Sequence, residues 1–419
     1  MTDVSRILAH YRIETAADPR RAAEIMAGEQ SSGTFVAVPG ETPELTERAG
    51  ARVEALHLLE PAEAPSLPGA RRAPGAPIQR ANVTLSWPIE NMGPSLPNLV
   101  ATVAGNLFEL QQFSGLRLLD IELPAPFFKA SRGPQFGIAG TRKLSGVASG
   151  PLIGTIVKPS VGFGPAETAA LVLTLAEAGI DFIKDDELQA NGPHCPFADR
   201  VAAVMSVVNR HADRTGKKVM FAFNVTGDLD EMRRHHDLVL AAGGTCIMAS
   251  LNSVGLVGMI ELRRHAQLPI HAHRNGWGYL SRHPQLGWSY VAWQKLWRLA
   301  GVDHMHVNGL GNKFAEPDDS VIASARACLT PMSAESPCIV MPVFSSGQTV
   351  NQPPETYQQL GSLDLIYAAG GGIMAHPDGP AAGVASLRDS WDATVAGVPL
   401  ERYAQTHPAL AAALGAYRA

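Results

Sequence analysis

The sequence predicts an α/β protein in which a C-terminal (β/α)8 TIM barrel follows a smaller N-terminal α+β domain. The chain has 419 residues, which exceeds one average domain and leaves room for a barrel and a partner domain. From about Gly137 onward, short β-branched apolar runs alternate with Ala- and Leu-rich helical patterns, as is typical of parallel β/α units. We therefore expect an N-terminal domain at residues 1–125 and a barrel at residues 126–419.

The N-terminal region mixes alternating strand patterns with helical ones, which predicts an α+β domain of the ferredoxin-like type. Strands are expected in LAHYRIET, GTFVAVPG, ARVEALHLLE and ANVTLSWPIEN, and helices over Pro19–Glu29 and Asn98–Leu110. The stretch Pro61–Pro77 is rich in Pro, Gly and Ala, and we expect it to form a surface loop.

The C-terminal region contains eight strand candidates, and a helical pattern fits after each of them. In chain order they are GPLIGTIVKPS, IDFIKDDE, KKVMFAFNVTG, GTCIMASLNSVG, LPIHAHRNG, VDHMHVNG, PCIVMPVFSSG and LDLIYAAGGG. We expect the first strand to end at Lys158 and the second at Glu187. The clearest helices are predicted from near Ala166 and over residues 198–211, 290–300 and 355–360. Eight such units in about 260 residues match a (β/α)8 barrel.

Composition excludes several classes of protein. A net charge of -5 without a basic block argues against nucleic-acid binding. The N-terminus lacks a signal-peptide pattern, and no apolar run of about 18 residues occurs, so we expect neither export nor a membrane span. The four cysteines have no CxxC spacing, which favours a reducing compartment. A cytoplasmic protein is predicted.

Polar side chains are concentrated at the predicted carboxyl ends of the barrel strands. The active sites of TIM barrels lie at this end, so these residues are the candidate functional set. They are Lys158, Lys184, Asp186, Glu187, Asn224, His271, His273, Arg274, His304, His306, Asn308, Ser345, Ser346 and the glycines Gly370 to Gly372.

The run KDDE after the second strand suggests a metal site. Asp186 and Glu187 offer the hard oxygen ligands that Mg²⁺ prefers. Lys184 lies two residues before Asp186 and so on the same side of a strand. As an ammonium it would repel a cation, but as a carbamate, formed with CO2, it would be an anionic ligand. The alternative is a surface cluster of salt bridges.

The two histidine motifs, HAHR and HMH, place alternating rings at neighbouring strand ends, so that one ring of each pair can face the barrel axis. Arg274 follows directly and could hold an anion with its planar guanidinium. Hydrogen-bonded core histidines are the alternative interpretation.

Two glycine-rich segments favour phosphate binding and a lid. GGG after the eighth strand, together with FSSG after the seventh, could present backbone amides to a phosphate, although a tight turn alone would also explain the glycines. The segment HVNGLGNKFAE carries Lys313, and it is either a closing lid or a surface turn.

Taken together, these motifs resemble the large subunit of ribulose-bisphosphate carboxylase/oxygenase (RuBisCO), and more closely the RuBisCO-like proteins. The segments GTIVKPSVGFGPAE, GIDFIKDDE, HAHR, DHMHVNG, MPVFSSG and GGGIMAHPDGPAAG follow the family's order, and EQSSGTF and VAGNLFEL extend the likeness to the N-terminal region. The resemblance covers nearly the whole chain.

The resemblance implies roles for individual residues. Lys184 would be a carbamylated ligand that binds Mg²⁺ with Asp186 and Glu187, and Lys158 would transfer protons. His273 would lie beside the reacting carbons, and Lys313 would lie on the lid with Glu29 as its ion-pair partner. One anion end of the substrate would contact Arg274, His306 and Ser345. The other anion end would contact Thr34, Gly347, Gly370 and Gly371. Glu29, Thr34 and Asn106 would reach the site from a neighbouring subunit, which implies a homodimer or a higher oligomer of dimers.

Departures from the family's motifs restrict the implied reaction. Ser160 stands where true carboxylases carry a second lysine, and Asn106 stands where methylthio-sugar enolases carry a lysine base. The resemblance therefore implies an enediolate enzyme acting on a phosphorylated sugar acid in carbohydrate catabolism. Decarboxylation, or transcarboxylation and hydrolysis, of 3-oxo-isoapionate 4-phosphate is expected. Open alternatives are an enolase or isomerase acting on a 5-methylthioribulose-1-phosphate-like compound, and sugar-phosphate binding without turnover.

Overall fold

The computed structural model describes residues 5–32, 38–72 and 75–417. The chain divides into two compact units. One comprises residues 1–131 together with 276–297, and the other residues 132–275 together with 298–419. The domain boundary expected between residues 125 and 126 stays a prediction. No helix in the described ranges is both long and apolar enough to cross a bilayer.

The strands and helices follow in chain order. The strands are β1 Arg6–Thr15, β2 Arg52–Ala62, β3 Ile78–Pro88, β4 Phe113–Glu122, β5 Leu152–Ile156, β6 Phe182–Lys184, β7 Met220–Asn224, β8 Cys246–Ser250, β9 Ile270–His273, β10 Leu286–Trp288, β11 His304–His306, β12 Met341–Phe344 and β13 Ile366–Ala368. The helices are α1 Pro19–Glu29, α2 Pro43–Ala49, α3 Leu96–Ala104, α4 Ala125–Ala130, α5 Gly137–Ser145, α6 Pro165–Glu177, α7 Phe197–Thr215, α8 Leu229–Ala241, α9 Leu251–His265, α10 Trp277–Ser281, α11 Tyr290–Ala300, α12 Asp318–Leu329, α13 Pro353–Leu360, α14 Gly371–Met374, α15 Pro380–Val395, α16 Leu400–Tyr403 and α17 Pro408–Ala416. Short 3-10 helices occupy Ile89–Asn91 and Asn106–Glu109.

The first unit is built on a five-stranded sheet with the order β10-β4-β1-β3-β2. Alternate residues of β1 are buried, as the period of two in its sequence requires. Strand β10 pairs in parallel with β4. Neither strand was predicted from the sequence. The predicted helix over Asn98–Leu110 is wrong as one element, because α3 ends at Ala104 and a 3-10 helix follows Gly105. Residues 33–37 of the predicted strand GTFVAVPG lie outside the described residues.

The second unit contains a closed barrel of eight parallel strands in the order β5-β6-β7-β8-β9-β11-β12-β13. The predicted barrel is therefore confirmed. Its strands are buried along their whole length, which explains why they read as continuous apolar runs. The apolar cluster inside comprises Leu152, Ile156, Phe182, Met220, Ala222, Cys246, Met248, Met341, Val343, Ile366 and Ala368.

A buried carboxylate ties the start of β11 to its surroundings. Asp303 Oδ1 accepts from the backbone N–H groups of Phe136 (2.6 Å) and Gly137 (2.9 Å), at the start of α5. Its Oδ2 accepts from Ile270 N (2.9 Å) and Arg263 Nη1 (3.1 Å). The Asp303 side chain is fully buried. Because every oxygen has donors, this charged group is tolerated in the interior.

Asp303→Asn should lower the free energy of unfolding by about 3–5 kcal/mol, because it leaves the Arg263 cation buried without its partner and turns an amide N–H₂ toward backbone donors. Urea denaturation followed by circular dichroism measures the change. The matched control is Asp364→Asn, which weakens an ion pair with Arg142 in which the Asp364 side chain is 44% exposed. A loss of stability no larger than in this control would contradict the structural role of Asp303.

Candidate active site

Most of the predicted site residues are found at one end of the barrel, as expected because all parallel strands of a TIM barrel end at the same rim. Lys158 follows β5, Asp186 and Glu187 follow β6, and Arg274 follows β9. His306 ends β11, Ser345 follows β12, and Gly370 follows β13. Strand β6 ends at Lys184, so the expected end at Glu187 is wrong. The earlier end matters, since Asp186 and Glu187 then lie in a turn where strand alternation no longer separates their side chains.

Lys158 and Asp186 form a close ion pair. Lys158 Nζ donates to Asp186 Oδ2 at 2.5 Å and to Ser160 Oγ at 2.8 Å. The Asp186 side chain is buried, whereas that of Lys158 is 39% exposed and can reach a bound molecule. Leu188 N donates to Asp186 Oδ1 at 3.0 Å, which fixes the carboxylate. The Lys158 ammonium is therefore oriented by two acceptors, the Asp186 carboxylate and the Ser160 hydroxyl.

Lys184 is held inside the barrel mouth. Its ammonium donates to Asp185 O (2.9 Å) and Glu187 Oε2 (3.3 Å), and only 1% of its side chain is exposed. Burial lowers the pKa of Lys184, although the negative charges of Glu187 and Asp186 act in the opposite direction. A lowered pKa increases the fraction of neutral amine, which is the form that can react with CO2.

Glu187 also faces His273. Asn275 N donates to His273 Nδ1 (3.2 Å), so the neutral ring carries its hydrogen on Nε2, which lies 3.4 Å from Glu187 Oε2. Burial, with a contribution from Lys184, lowers the pKa of His273 to about 4. Burial alone would raise the pKa of Glu187, but His273 and Lys184 outweigh it and lower the pKa to about 2. Since His273 is neutral at pH 7, Lys184 is the cation that balances Glu187 there.

The remaining acid of the KDDE run, Asp185, pairs with an arginine. Its carboxylate lies 3.2 Å from Arg200 Nη2, and both side chains are fully buried. Burial raises the pKa of Asp185, while Arg200 acts against this rise. Asp185 Oδ2 also accepts from Asn224 N (2.9 Å), and Asn224 Nδ2 donates to the carbonyl oxygens of Asp186 and Glu187 (3.3 and 3.2 Å). Asp185 and Asn224 therefore support the turn that carries the two other acids, a role that the sequence motif did not reveal.

Arg274 is engaged by an acid that sequence reasoning missed. Its Nη2 lies 2.6 Å from Glu316 Oε2, and both side chains are largely buried. Asn308 Nδ2 donates to the same oxygen at 2.8 Å. Glu316 lies three residues beyond Lys313, at the end of the predicted lid, and no sequence motif marks it. Arg274 thus reaches the site as one half of an ion pair.

Four histidines converge inside the barrel mouth. His306 Nε2 and Ser345 Oγ are 2.5 Å apart, and the rings of His273 and His306 are centred 4.8 Å apart. Burial, with the charges of His273 and Arg274, lowers the pKa of His306 well below its usual value. His271 and His304 lie deeper and contact Phe182, at ring distances of 5.3 and 6.0 Å. The interpretation as a hydrogen-bonded core histidine fits His304, whose Nε2 lies 2.8 Å from Thr141 Oγ1. His271 is equally buried, but neither of its ring nitrogens has a hydrogen-bond partner among the described residues. His273 and His306 line the rim.

The predicted lid and the glycine-rich turns come together beside the rim. Lys313 is exposed, and its backbone N donates to Ser346 O at 3.4 Å. A Cβ on Gly347 would lie 3.7 Å from Lys313 N, and a Cβ on Gly370 would lie 3.9 Å from Lys158 Cε. A Cβ on Gly371 would meet nothing within 4 Å. Gly347 and Gly370 therefore lie within contact distance of Lys313 and Lys158, and of the three glycines Gly371 faces open space.

Three predicted residues belong to the first unit. Glu29 is the last residue of α1, and Asn106 begins a 3-10 helix. They are linked through Gln30, whose side-chain amide, in its hydrogen-bonding orientation, accepts from Asn106 N (2.9 Å). Thr34 lies outside the described residues. That these residues complete the site of another subunit stays a prediction.

A three-residue group suited to metal binding lies elsewhere, on α8 and α9. Asp237 Oδ1 is 2.9 Å from His236 Nδ1 and 2.7 Å from His265 Nε2. Gln267 N donates to His236 Nε2 (3.0 Å), so the neutral ring carries its hydrogen on Nδ1. A ligating histidine needs a free lone pair on the nitrogen that faces the metal. The group is therefore better explained as a hydrogen-bonded cluster than as a metal site.

Comparison with known proteins agrees with this architecture. Residues 137–417 match the sequence model of the ribulose bisphosphate carboxylase large chain, catalytic domain, and residues 1–127 match that of its N-terminal domain. The chain is 63% identical to the 3-oxo-isoapionate-4-phosphate transcarboxylase/hydrolase of Xanthobacter autotrophicus, covering 99% of both chains. It is 47% identical to the 3-oxo-isoapionate-4-phosphate decarboxylase of Rhizobium etli, covering 97% of both.

The fold comparison gives the same family. The crystal structure of a rubisco-like protein from Burkholderia fungorum matches with a TM-score of 0.92 and 51% identity, covering 99% of this chain and 100% of that one. The expectation of an enzyme of the RuBisCO-like family is thereby confirmed. The chain belongs to the ribulose bisphosphate carboxylase large-chain family, and within it to the RuBisCO-like proteins.

Proposed function

We propose that this protein breaks the bond between the carboxyl group and the neighbouring carbon of a phosphorylated 3-oxo sugar acid, with 3-oxo-isoapionate 4-phosphate as the first candidate. The carboxyl group then leaves as CO2 or is transferred before hydrolysis. The observation that carries the proposal is the Lys158–Asp186 pair beside Lys184 and Glu187, in a chain so similar to the transcarboxylase/hydrolase and the decarboxylase. Both reactions begin by breaking the same bond.

The charges at the barrel mouth fit a divalent cation. In the structure, the ammonium groups of Lys158 and Lys184 balance the carboxylates of Asp186 and Glu187. Converting Lys184 to a carbamate would replace one positive charge with a negative one and leave an excess of two negative charges, which Mg²⁺ would balance. We infer that Lys184, Asp186 and Glu187 would hold the ion. When bound, it would polarise the substrate's carbonyl oxygen and stabilise negative charge there.

Bond cleavage in a 3-oxo acid leaves an electron pair that must be accommodated. The pair moves from the carboxyl–carbon bond into the polarised carbonyl group, so that one CO2 and one enediolate result. Lys158 can then give a proton to the enediolate carbon, because 39% of its side chain is exposed and its ammonium is paired with Asp186. His273 is neutral and can donate a hydrogen bond through Nε2 without adding charge.

Substrate binding divides between two ends of the site. We infer that Gly347, Gly370 and Gly371 receive the phosphate, together with Lys313 on the lid, since Gly371 faces open space and the other two glycines lie within contact distance of Lys313 and Lys158. Arg274, His306 and Ser345 would contact the other end. Glu29, Thr34 and Asn106 of a second copy of the chain would complete the site, so the active unit proposed is a homodimer or an assembly of dimers.

The experiment uses 3-oxo-isoapionate 4-phosphate with ¹³C in the carboxyl group, with Mg²⁺ and bicarbonate present. We expect the label to leave its original carbon at a rate proportional to enzyme concentration. Recovery of the label as CO2 would identify a decarboxylase, and recovery in a non-volatile acid would identify a transcarboxylase/hydrolase. A label that stays in place, with or without uptake of solvent deuterium elsewhere in the molecule, would contradict the proposal. Deuterium uptake by a methylthioribulose phosphate would then favour the isomerase.

A further inference from the structure

The Arg274 end of the site contains a second charge that the proposed roles do not use. Glu316 Oε2 lies 2.6 Å from Arg274 Nη2, and the side chains of the two residues are 13% and 8% exposed. An arginine that binds phosphate usually offers its guanidinium to the phosphate oxygens in a bidentate arrangement. Here a carboxylate of the protein already accepts a hydrogen bond from one nitrogen of that guanidinium.

Glu316 is held firmly in this position. Its Oε2 also accepts from Asn308 Nδ2 (2.8 Å), and its Oε1 accepts from Ser320 Oγ (3.0 Å). Asn308 is fully buried two residues after the end of β11, and its backbone is left-handed with φ of 80°. Together, these three contacts hold the Glu316 carboxylate beside Arg274 in this structure.

The charge of this end is consequently balanced. Arg274 contributes one positive charge and Glu316 one negative charge, while Ser345 and the buried, neutral ring of His306 contribute none. A phosphate monoester carries a charge of about −1.5 to −2 at pH 7. Placed here, it would lie beside a buried carboxylate, and like charges at short range in the interior are strongly unfavourable.

At the opposite end of the site, around Lys313, the positive charge is not balanced in this way. Lys313 is exposed and forms no ion pair within residues 5–32, 38–72 and 75–417. Its backbone lies against the Ser346–Gly347 turn, where a Cβ on Gly347 would contact Lys313. A phosphate there gains a positive charge that no described carboxylate neutralises. The two ends therefore differ in charge although both are polar.

We propose that the Arg274–Glu316 pair makes this end of the site select an uncharged, hydroxyl-bearing group, so that the substrate carries a single phosphate, bound at the Lys313 end. A hydroxyl group suits the pair, because it can accept a hydrogen bond from the guanidinium and donate one to the carboxylate. The inference rests on the proposed function, since it assigns the two ends of the same substrate. Glu316 is on this view a specificity-determining residue.

Two inert ligands test the proposal by calorimetry: a five-carbon polyol 1-phosphate and the corresponding 1,5-bisphosphate, with Mg²⁺ and bicarbonate present. The wild-type protein should bind the monophosphate at least about tenfold more tightly than the bisphosphate. Glu316→Gln keeps the shape of the side chain and removes its charge. It should tighten bisphosphate binding by about tenfold or more and leave monophosphate binding within about threefold.

Two controls separate charge from structure. Ser320→Ala removes a hydrogen bond to Glu316 but keeps its charge, and Glu335→Gln makes the same charge change at an exposed position. Both should retain the wild-type preference.

A wild-type protein that binds the bisphosphate as tightly as the monophosphate, or tighter, would overturn the proposal without any variant. An unchanged preference in a folded Glu316→Gln protein would do the same. Failure of the wild-type protein to bind the monophosphate would instead overturn the proposed function itself.

Discussion

Replacing Lys184 with methionine is expected to lower kcat/KM for the phosphorylated 3-oxo sugar acid by about a thousandfold or more, while the barrel stays folded. The amine of Lys184 is buried, and burial lowers its pKa, which increases the fraction of the neutral form that attacks CO2. Methionine cannot form a carbamate, yet its unbranched apolar side chain fills much of the same volume. The loss should therefore affect metal binding and catalysis much more than folding.

The measurement combines steady-state kinetics with ¹³C NMR of protein equilibrated with labelled bicarbonate. Wild-type protein should give a carbamate signal that is absent from Lys184→Met, and this signal should form faster as the pH rises, because only the neutral amine reacts. Lys143→Met is the matched control, because Lys143 is exposed on α5. A carbamate signal that persists in Lys184→Met, or activity close to that of the wild type, would refute the assignment.

Lys158→Arg is expected to lower kcat by about 10²- to 10⁴-fold, with a smaller effect on KM. Arginine keeps a positive charge beside Asp186, but its pKa lies too high for it to release a proton at neutral pH. The first bond cleavage needs no proton from this residue, whereas protonation of the enediolate does. We therefore expect a rapid early release or transfer of the carboxyl group, followed by slow product formation.

Rapid-quench kinetics with the ¹³C-labelled substrate can separate the two steps. The barrel offers a closely matched control in Lys217, whose Nζ lies 2.6 Å from the buried carboxylate of Asp181 ahead of β6 and β7. Lys217→Arg makes the same chemical change in a similar ion pair, and it should leave both steps intact. Equal slowing of both steps in Lys158→Arg would indicate that Lys158 acts in binding or orientation and not in proton transfer.

Much of the fold could be predicted because hydrophobic periodicity is a local property. Helices α1 and α11 have the bounds expected from their sequence patterns, and each of the eight barrel strands falls within its predicted segment. Strand β10 could not be predicted, since three residues are too few to show a period and its partner β4 is distant in sequence. Predicted helix Asn98–Leu110 failed where Gly105 interrupts the helical backbone.

The residues that meet at the barrel mouth could be identified from their positions in the sequence. Parallel strands deliver their carboxyl ends to one rim, so Lys158, Asp186, His273 and Ser345 could be assigned to it from position alone. Their chemical state could not be assigned in this way, because protonation depends on burial and on neighbouring charges that are distant in the sequence.

Which of these charges are neutralised by ion pairs can be seen only in the three-dimensional structure. It pairs Arg274 with Glu316, 42 residues away, and it pairs Asp185 with Arg200. No periodic pattern encodes such contacts, because they arise when loops and helices from different strand units pack together. Local sequence patterns were thus sufficient to predict the fold and the set of polar groups at the barrel mouth, whereas three-dimensional packing set which of their charges are paired.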